Sequence, residues 1–162
     1  MSPLEFDPDD VEAAVEKAVR VLNAASQTRS GLSQKLKRAG FSPTAVAAAS
    51  ARMEALGYVN DRAYADAVVQ KRQRQGRGVK VIASELHHKG IEPELIDEIL
   101  ADVDAGAEVE RATELAVRLL RRHADEPTVR QREHVIGGMM RRGFTPGVAR
   151  RALERASAIA VH

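Results

Sequence analysis

The sequence contains no cysteine and no tryptophan among its 162 residues, and aromatic side chains make up only 3% of it. The lack of cysteine excludes a disulfide framework, thiolate zinc sites and a thiol nucleophile, and it is compatible with a reducing cytoplasm. The five aromatics are Phe6, Phe41, Phe144, Tyr58 and Tyr64. That is too few for the row of stacking platforms a single-strand binder uses. No uncharged apolar run approaches the roughly 18–20 residues of a membrane span. The opening MSPLEFDPDD is acidic and lacks the basic and apolar regions of a signal peptide. A cytoplasmic location with no membrane partner is therefore expected.

What is present favours helices. Apolar residues reach 44%, much of it Ala, Val and Leu, which suits small, closely packed helices better than a sheet sandwich. Charged residues make up 30% and the formal net charge is only +2. Their distribution is uneven. Residues 1–60 carry seven basic and seven acidic side chains, 61–105 seven and nine, and 106–162 eleven and seven. An anionic partner would meet local patches rather than a uniformly basic body.

One phrase occurs three times: LKRAGFSPTAV at 36–46, LHHKGIEPELI at 86–96 and MMRRGFTPGVA at 139–149. Each has glycine followed three residues later by proline, as Gly40 and Pro43, Gly90 and Pro93, Gly143 and Pro146. Glycine just past a helix end takes the left-handed conformation, and the next apolar residue packs back on the helix. The pairs are Phe41 with Leu36, Ile91 with Leu86, and Phe144 with Met139. Ser42, Thr145 and more weakly Glu92 then act as N-caps, with proline at the first helical position. The phrase is a helix stop followed at once by a helix start.

Periodicity supplies the flanking helices. Leu32 and Leu36, Ile82 and Leu86, Val135 and Met139 are equivalent i, i+4 pairs. After the corners, Val46, Ala49, Met53 and Leu56 form one stripe, and Leu95 or Ile96, Ile99 and Val103 another. A longer helix precedes each corner. The first is capped by Asp9 or Asp10 and carries Val11, Val15, Ala18 and Leu22. The second is capped by Asn60 or Asp61, with Tyr64, Ala67 and Val68 inward. The third spans about 107–122 with Val109, Ala112, Ala116 and Leu119. The expected fold is all-α, an elongated array of three tandem three-helix repeats. A flexible tail would occupy 1–8, and the repeats 9–57, 58–105 and 106–162.

At residues 56–91, LGYVNDRAYADAVVQKRQRQGRGVKVIASELHHKGI, the sequence resembles the RecX family of RecA regulators. It carries that family's G-Y-[LIV]-[ND]-D-x-x-[YF]-A phrase as Gly57, Tyr58, Val59, Asn60, Asp61, Tyr64 and Ala65. A second phrase follows as Arg74, Gly76 (offset by one), Arg77, Gly78, Ile82, Glu85, Leu86, Lys89, Gly90 and Ile91. Upstream, TRSGLSQKLKRAGF matches a further element, with Gly31 and Ser33 in place of more usual polar or acidic residues. The likeness extends over about residues 11–157 and thins in the third repeat. It implies a helical, non-enzymatic protein that binds RecA filaments and restrains recombination, with some affinity for DNA.

A search for chemistry finds little. His87 and His88 are adjacent and diverge on a helix, while His123, His134 and His162 are scattered, with no metal-ligand spacing. No metal and no cofactor are expected. GRGVK at 76–80 lacks the spacing and the preceding strand of a phosphate loop. Asp61 and Asp66 at a helix start are explained as cap and macrodipole partners. No catalytic residue is assigned.

The basic run KRQRQGRGVK is the informative feature. Lys71, Arg72 and Arg74 close one helix, Arg77 lies in the break, and Lys80 opens the next. Gly76 and Gly78 would let the chain turn sharply and present backbone N–H groups to an anionic surface. A second basic group is Arg29, Lys35, Lys37 and Arg38. A third is Arg118, Arg121, Arg122, Arg141, Arg142, Arg150, Arg151 and Arg155. The candidate contacts for RecA or DNA are Lys71, Arg72, Arg74, Arg77, Lys80, Arg29, Lys37, Arg38, Arg141, Arg142, Arg150 and Arg151. Solvated, salt-bridged faces are the plain alternative for each group.

Operator binding by a helix-turn-helix is disfavoured. The helix after the first corner is nearly uncharged, and that after the second carries Glu94, Asp97, Glu98, Asp102 and Asp104, which phosphates repel. The expectation is a monomer that sits in the groove of a RecA nucleoprotein filament. Single- or double-stranded DNA would be bound non-specifically and more weakly. The resemblance alone implies the direction of regulation: the chain would oppose filament growth, ATP turnover, strand exchange or partner cleavage, and so act in DNA repair and the SOS response. The alternative is a stand-alone, non-specific DNA-binding helical protein.

Overall fold

Left-handed glycines set the helix stops. Gly40, Gly90 and Gly143 have φ of 99°, 80° and 99°. The computed structural model describes residues 6–160; positions 1–5 of the expected tail, and 161–162 with His162, lie outside that range. After two of the corners the Phe41 and Phe144 N–H groups donate back to the Leu36 and Met139 carbonyls at 3.3 and 3.2 Å. Ser42 Oγ then accepts from Ala45 N–H, and Thr145 Oγ1 from Val148 N–H.

The described residues form helices and no strands, in three triplets. The first is α1 (Val11–Ala24), α2 (Arg29–Arg38) and α3 (Pro43–Ala55); the second α4 (Asp61–Arg74), α5 (Val79–His88) and α6 (Pro93–Ala101). The third is α7 (Ala105–Arg122), α8 (Thr128–Arg141) and α9 (Pro146–Ala160). Among them no helix is long and apolar enough to cross a membrane. The molecule has two compact units. One holds the chain to Ala65 together with His87–Pro93, the other Asp66–Leu86 together with the chain from Glu94.

In the first unit Ala14, Ala18, Leu32, Leu36, Phe41, Val46, Ala49, Met53 and Val59 share a core. In the second, the α7 stripe of Ala112, Ala116 and Leu119 meets Val135, Met139, Phe144, Ala149 and Leu153. Every i, i+4 pair ahead of a corner is fully buried, so cutting Leu32, Leu36 or Leu86 back to alanine should cost about 2–5 kcal/mol. Phe6, from the expected tail, lays its ring 5.2 Å from Phe41, and Ser42 N–H donates to the Pro8 carbonyl.

Two inward assignments need correcting. Leu56, expected on the α3 stripe, is 61% exposed, because α3 ends at Ala55 and Gly57 (φ 79°) turns the chain away. On α4 the buried positions are Ala65 and Val69 rather than Ala67, which is exposed; Tyr64 and Val68 are half-buried.

Second helices are held by a recurring joint. At the start of α2, Thr28 Oγ1 accepts from Gly31 N–H and donates to the Lys89 carbonyl at 2.8 Å. Arg29 N–H donates to Asp61 Oδ1 at 2.8 Å. Asp61 therefore caps α2 from the next triplet, and α4 is capped by Asn60, whose Oδ1 accepts from Ala63 N–H. At the start of α5, Gly78 and Lys80 N–H donate to the Arg142 and Gly143 carbonyls at 2.8 and 2.9 Å. Val79 N–H donates to Glu108 Oε1 at 3.0 Å. In both joints a carboxylate from the next first helix accepts from an N–H that a helix start leaves open, and a carbonyl near the next corner accepts from the Thr28 hydroxyl in the first joint and from main-chain N–H groups in the second. The corner glycines admit this approach. A β-carbon on Gly90 would collide with Ser30 Oγ, and one on Gly143 would lie 2.7 Å from Val81 Cβ. On Gly40 it would lie 3.2 Å from the Phe6 ring.

Candidate anion-binding cleft

Gly76, with φ of 73°, ends α4, and Arg77 N–H donates to the Arg72 carbonyl at 2.9 Å. Arg72 itself grips Glu85 of α5 with two nearly parallel bonds, Nε to Oε2 at 2.6 Å and Nη2 to Oε1 at 2.7 Å. Its Nη1 donates to Gln75 Oε1 at 2.8 Å. This half-buried fork fixes the last turn of α4 to α5. Arg72, expected as a contact, is thus occupied in shaping the basic turn.

The GRG break does not display open N–H groups, contrary to the sequence expectation. Those of Gly78, Val79 and Lys80 are spent on Arg142, Glu108 and Gly143. Gly78 has no positive φ; its value is a missing side chain, since a β-carbon would lie 2.5 Å from the Gly143 oxygen and from Phe144 N. Glu108, only 4% exposed, is balanced by the α5 start and by Arg111 Nη2 at 2.9 Å.

This docking has an electrostatic result. It brings Arg77 into one cleft of about 490 Å³ with Arg118 and Arg122 of α7 and Arg141 and Arg142 at the end of α8. Gln75, Leu115, Leu119 and Gly138 complete the lining, so among the described residues five arginines and no carboxylate border the cleft. The negative end of α8 favours Arg141 and Arg142. Gly137 and Gly138 leave room beside Arg141, whose Nη1 would sit 3.3 Å from a β-carbon on Gly137. Like charges gathered without a counter-charge repel, and an anion relieves that repulsion. Guanidinium forks match phosphate or carboxylate oxygens in pairs. Among the described residues no aromatic lines the cleft, so they offer no ring there for base stacking.

The other expected cations lie elsewhere. Lys71, Arg74 and Lys80 are exposed and do not line the cleft; the same holds for Lys37, Arg38, Arg150 and Arg151. Arg29 is exposed and holds Glu54 at 2.8 Å. Of the twelve, Arg77, Arg141 and Arg142 converge. Arg118 and Arg122 join them, and their spacing with Leu115 and Leu119 on one helical face was the signal available in the sequence.

Fold and cleft define a tandem three-helix-repeat protein with an arginine-lined recess. Comparison with known proteins makes the class specific. Residues 60–100 match the model of the second three-helix domain of RecX, and 107–153 that of the third. The regulatory protein RecX of Mycobacterium sp. (strain JLS) is 36% identical over 150 residues, covering 90% of this chain and 82% of that protein. Its counterpart from Streptomyces coelicolor is 32% identical, with 91% and 79% covered. The crystal structure of RecX from Lactobacillus salivarius superposes with a TM-score of 0.88 at 20% identity, covering 92% of this chain and 97% of that one. The chain belongs to the RecX family.

Proposed function

We propose that this chain is a monomeric, non-catalytic cytoplasmic modulator that binds RecA nucleoprotein filaments and restrains them. It opposes filament extension, ATP hydrolysis, strand exchange and coprotease action in DNA repair and the SOS response. Family membership supports the partner, and the five-arginine cleft is the observation that carries the mode of contact. Phosphate or carboxylate groups of the filament enter the cleft, while DNA alone is held more weakly through its backbone. The helix triplets present the basic recess on a rigid frame, because Arg72–Glu85 and the Gly78–Arg142 joint fix its walls.

The test is RecA ATPase on single-stranded DNA with and without this protein. Arg77, Arg118 and Arg122 are replaced by alanine together, Arg72 being left intact because its fork braces Glu85. Inhibition should fall at least about tenfold in potency, by analogy with loss of central arginines at other interfaces. An Arg150/Arg151 double alanine variant should inhibit like the parent. Undiminished inhibition by the triple variant removes the cleft from the mechanism. No effect of the parent on RecA, with tight and steeply salt-dependent binding to DNA alone, favours a stand-alone DNA-binding protein instead.

A further inference from the structure

Two histidines that are eleven residues apart in sequence meet at the α7–α8 turn. His123, the residue following α7, and His134, in α8, have ring centroids 4.8 Å apart. Glu126 lies between them. Its Oε1 is 3.0 Å from His123 Nδ1 and its Oε2 is 2.6 Å from His134 Nδ1. One ligand atom from each of the three residues fits within a sphere of mutual separations no greater than 4.8 Å.

We propose that His123, Glu126 and His134 form a binding site for a divalent transition-metal ion of the zinc class. Two imidazole nitrogens and one carboxylate oxygen are the donor set such ions favour, with a fourth position left for water. Tetrahedral zinc with bonds of about 2.0–2.1 Å places its donors about 3.3 Å apart. The widest gap in the cluster must therefore close by no more than about 1.5 Å, within reach of side-chain rotation. Each Nδ1 gives its lone pair to the ion, and any proton it held goes to solvent. Glu126 supplies the carboxylate oxygen, set between the two rings.

The frame around the cluster is set without the ion. Gln131 Nε2 of α8 donates to the Leu120 carbonyl of α7 at 3.2 Å, tying the two helices beside the ligands. Glu126 N–H donates to the His123 carbonyl at 3.1 Å, and His123 N–H to that of Leu119. His134 keeps 47% of its side chain exposed, so an ion has a route in. Bound there, it would clip the end of α7, one residue beyond Arg122 of the basic cleft, to α8.

The full chain, untagged and stripped of metal, is titrated with Zn²⁺ against a chromophoric chelator, and with Co²⁺ followed by its visible absorption. One ion per chain is expected, with a tetrahedral Co²⁺ spectrum. Changes confined to outer-shell partners already weaken metal sites about 10–100-fold, so His134→Asn and Glu126→Gln should each weaken Zn²⁺ binding at least tenfold. A His87→Asn, His88→Asn, His162→Asn variant should bind like the parent. Circular dichroism of the metal-free variants should match the parent. The inference is overturned by the absence of saturable Zn²⁺ binding. It is equally overturned by unchanged binding in both site variants, or by loss confined to the triple control.

Discussion

Gly78→Ala measures the joint at the start of α5. The new β-carbon would collide with the Gly143 carbonyl carbon and lie 2.5 Å from its oxygen and from Phe144 N, all rigid main chain. Comfortable contact needs about 3.5 Å, so the surfaces must part by about 1 Å. That stretches Gly78–Arg142 and Lys80–Gly143, now 2.8 and 2.9 Å, past hydrogen-bonding range. Two bonds at about 0.5–1.5 kcal/mol each, plus a penalty of about 1–3 kcal/mol for a donor left buried, give a loss of about 2–6 kcal/mol. For a chain of this length that is a fall in Tm of about 6–18 °C. Two other glycines calibrate the result. Gly147 in α9 has open space around it and no positive φ, so Gly147→Ala should be neutral or stabilising by up to about 1 kcal/mol. Gly57 also has open space but φ of 79°, so Gly57→Ala should cost about 1–2 kcal/mol through backbone strain alone. Urea unfolding of the three variants should rank them Gly78, Gly57, Gly147 from worst to best. A Gly78→Ala protein within about 0.5 kcal/mol of the parent would falsify the close-approach account.

Glu108→Ala should cost about 3–5 kcal/mol, because it orphans Val79 N–H and leaves Arg111, only 24% exposed, without its partner. Glu108→Gln, which keeps an acceptor for Val79, should cost less; equal losses by urea unfolding would refute this reading. Arg72→Lys cannot reproduce the two-pronged grip on Glu85 and should lose about 1–2 kcal/mol in the same assay, with Arg72→Ala losing more. If the cleft holds phosphates, the Arg77, Arg118, Arg122 triple alanine variant should reduce the slope of log affinity for single-stranded DNA against log salt by about 2. An unchanged slope places the phosphate contacts elsewhere.

The corners were legible because their signal is local. A glycine, an apolar residue and a proline within a few positions specify the stop and the start, and Phe41, Ile91 and Phe144 are buried as that grammar requires. The stripe on α7 was legible because long helices average out single exceptions. Leu56 was misplaced because periodicity was extended one residue past the helix end. Ala67 was misplaced because the alternation of alanines around Tyr64 fits more than one register. The cleft was half-legible. Arg77, Arg141 and Arg142 stood out as charge, but what unites them is the contact of Gly78 with Arg142 and Gly143, 64 and more positions along the chain. The same non-local step hid the neighbourhood of His123 and His134, since the reversal between α7 and α8 erases helical spacing.

The joints of this molecule are written largely in main-chain carbonyls and in hydrogens where other residues carry carbon. Most of the exterior is consequently at liberty to drift, provided a few positions stay bare. Mutational intolerance should therefore trace narrow seams, Gly78, Gly90 and Gly143 among them, across a surface that otherwise accepts change. A lineage could redecorate the arginine recess for a new partner without disturbing the hinges that present it.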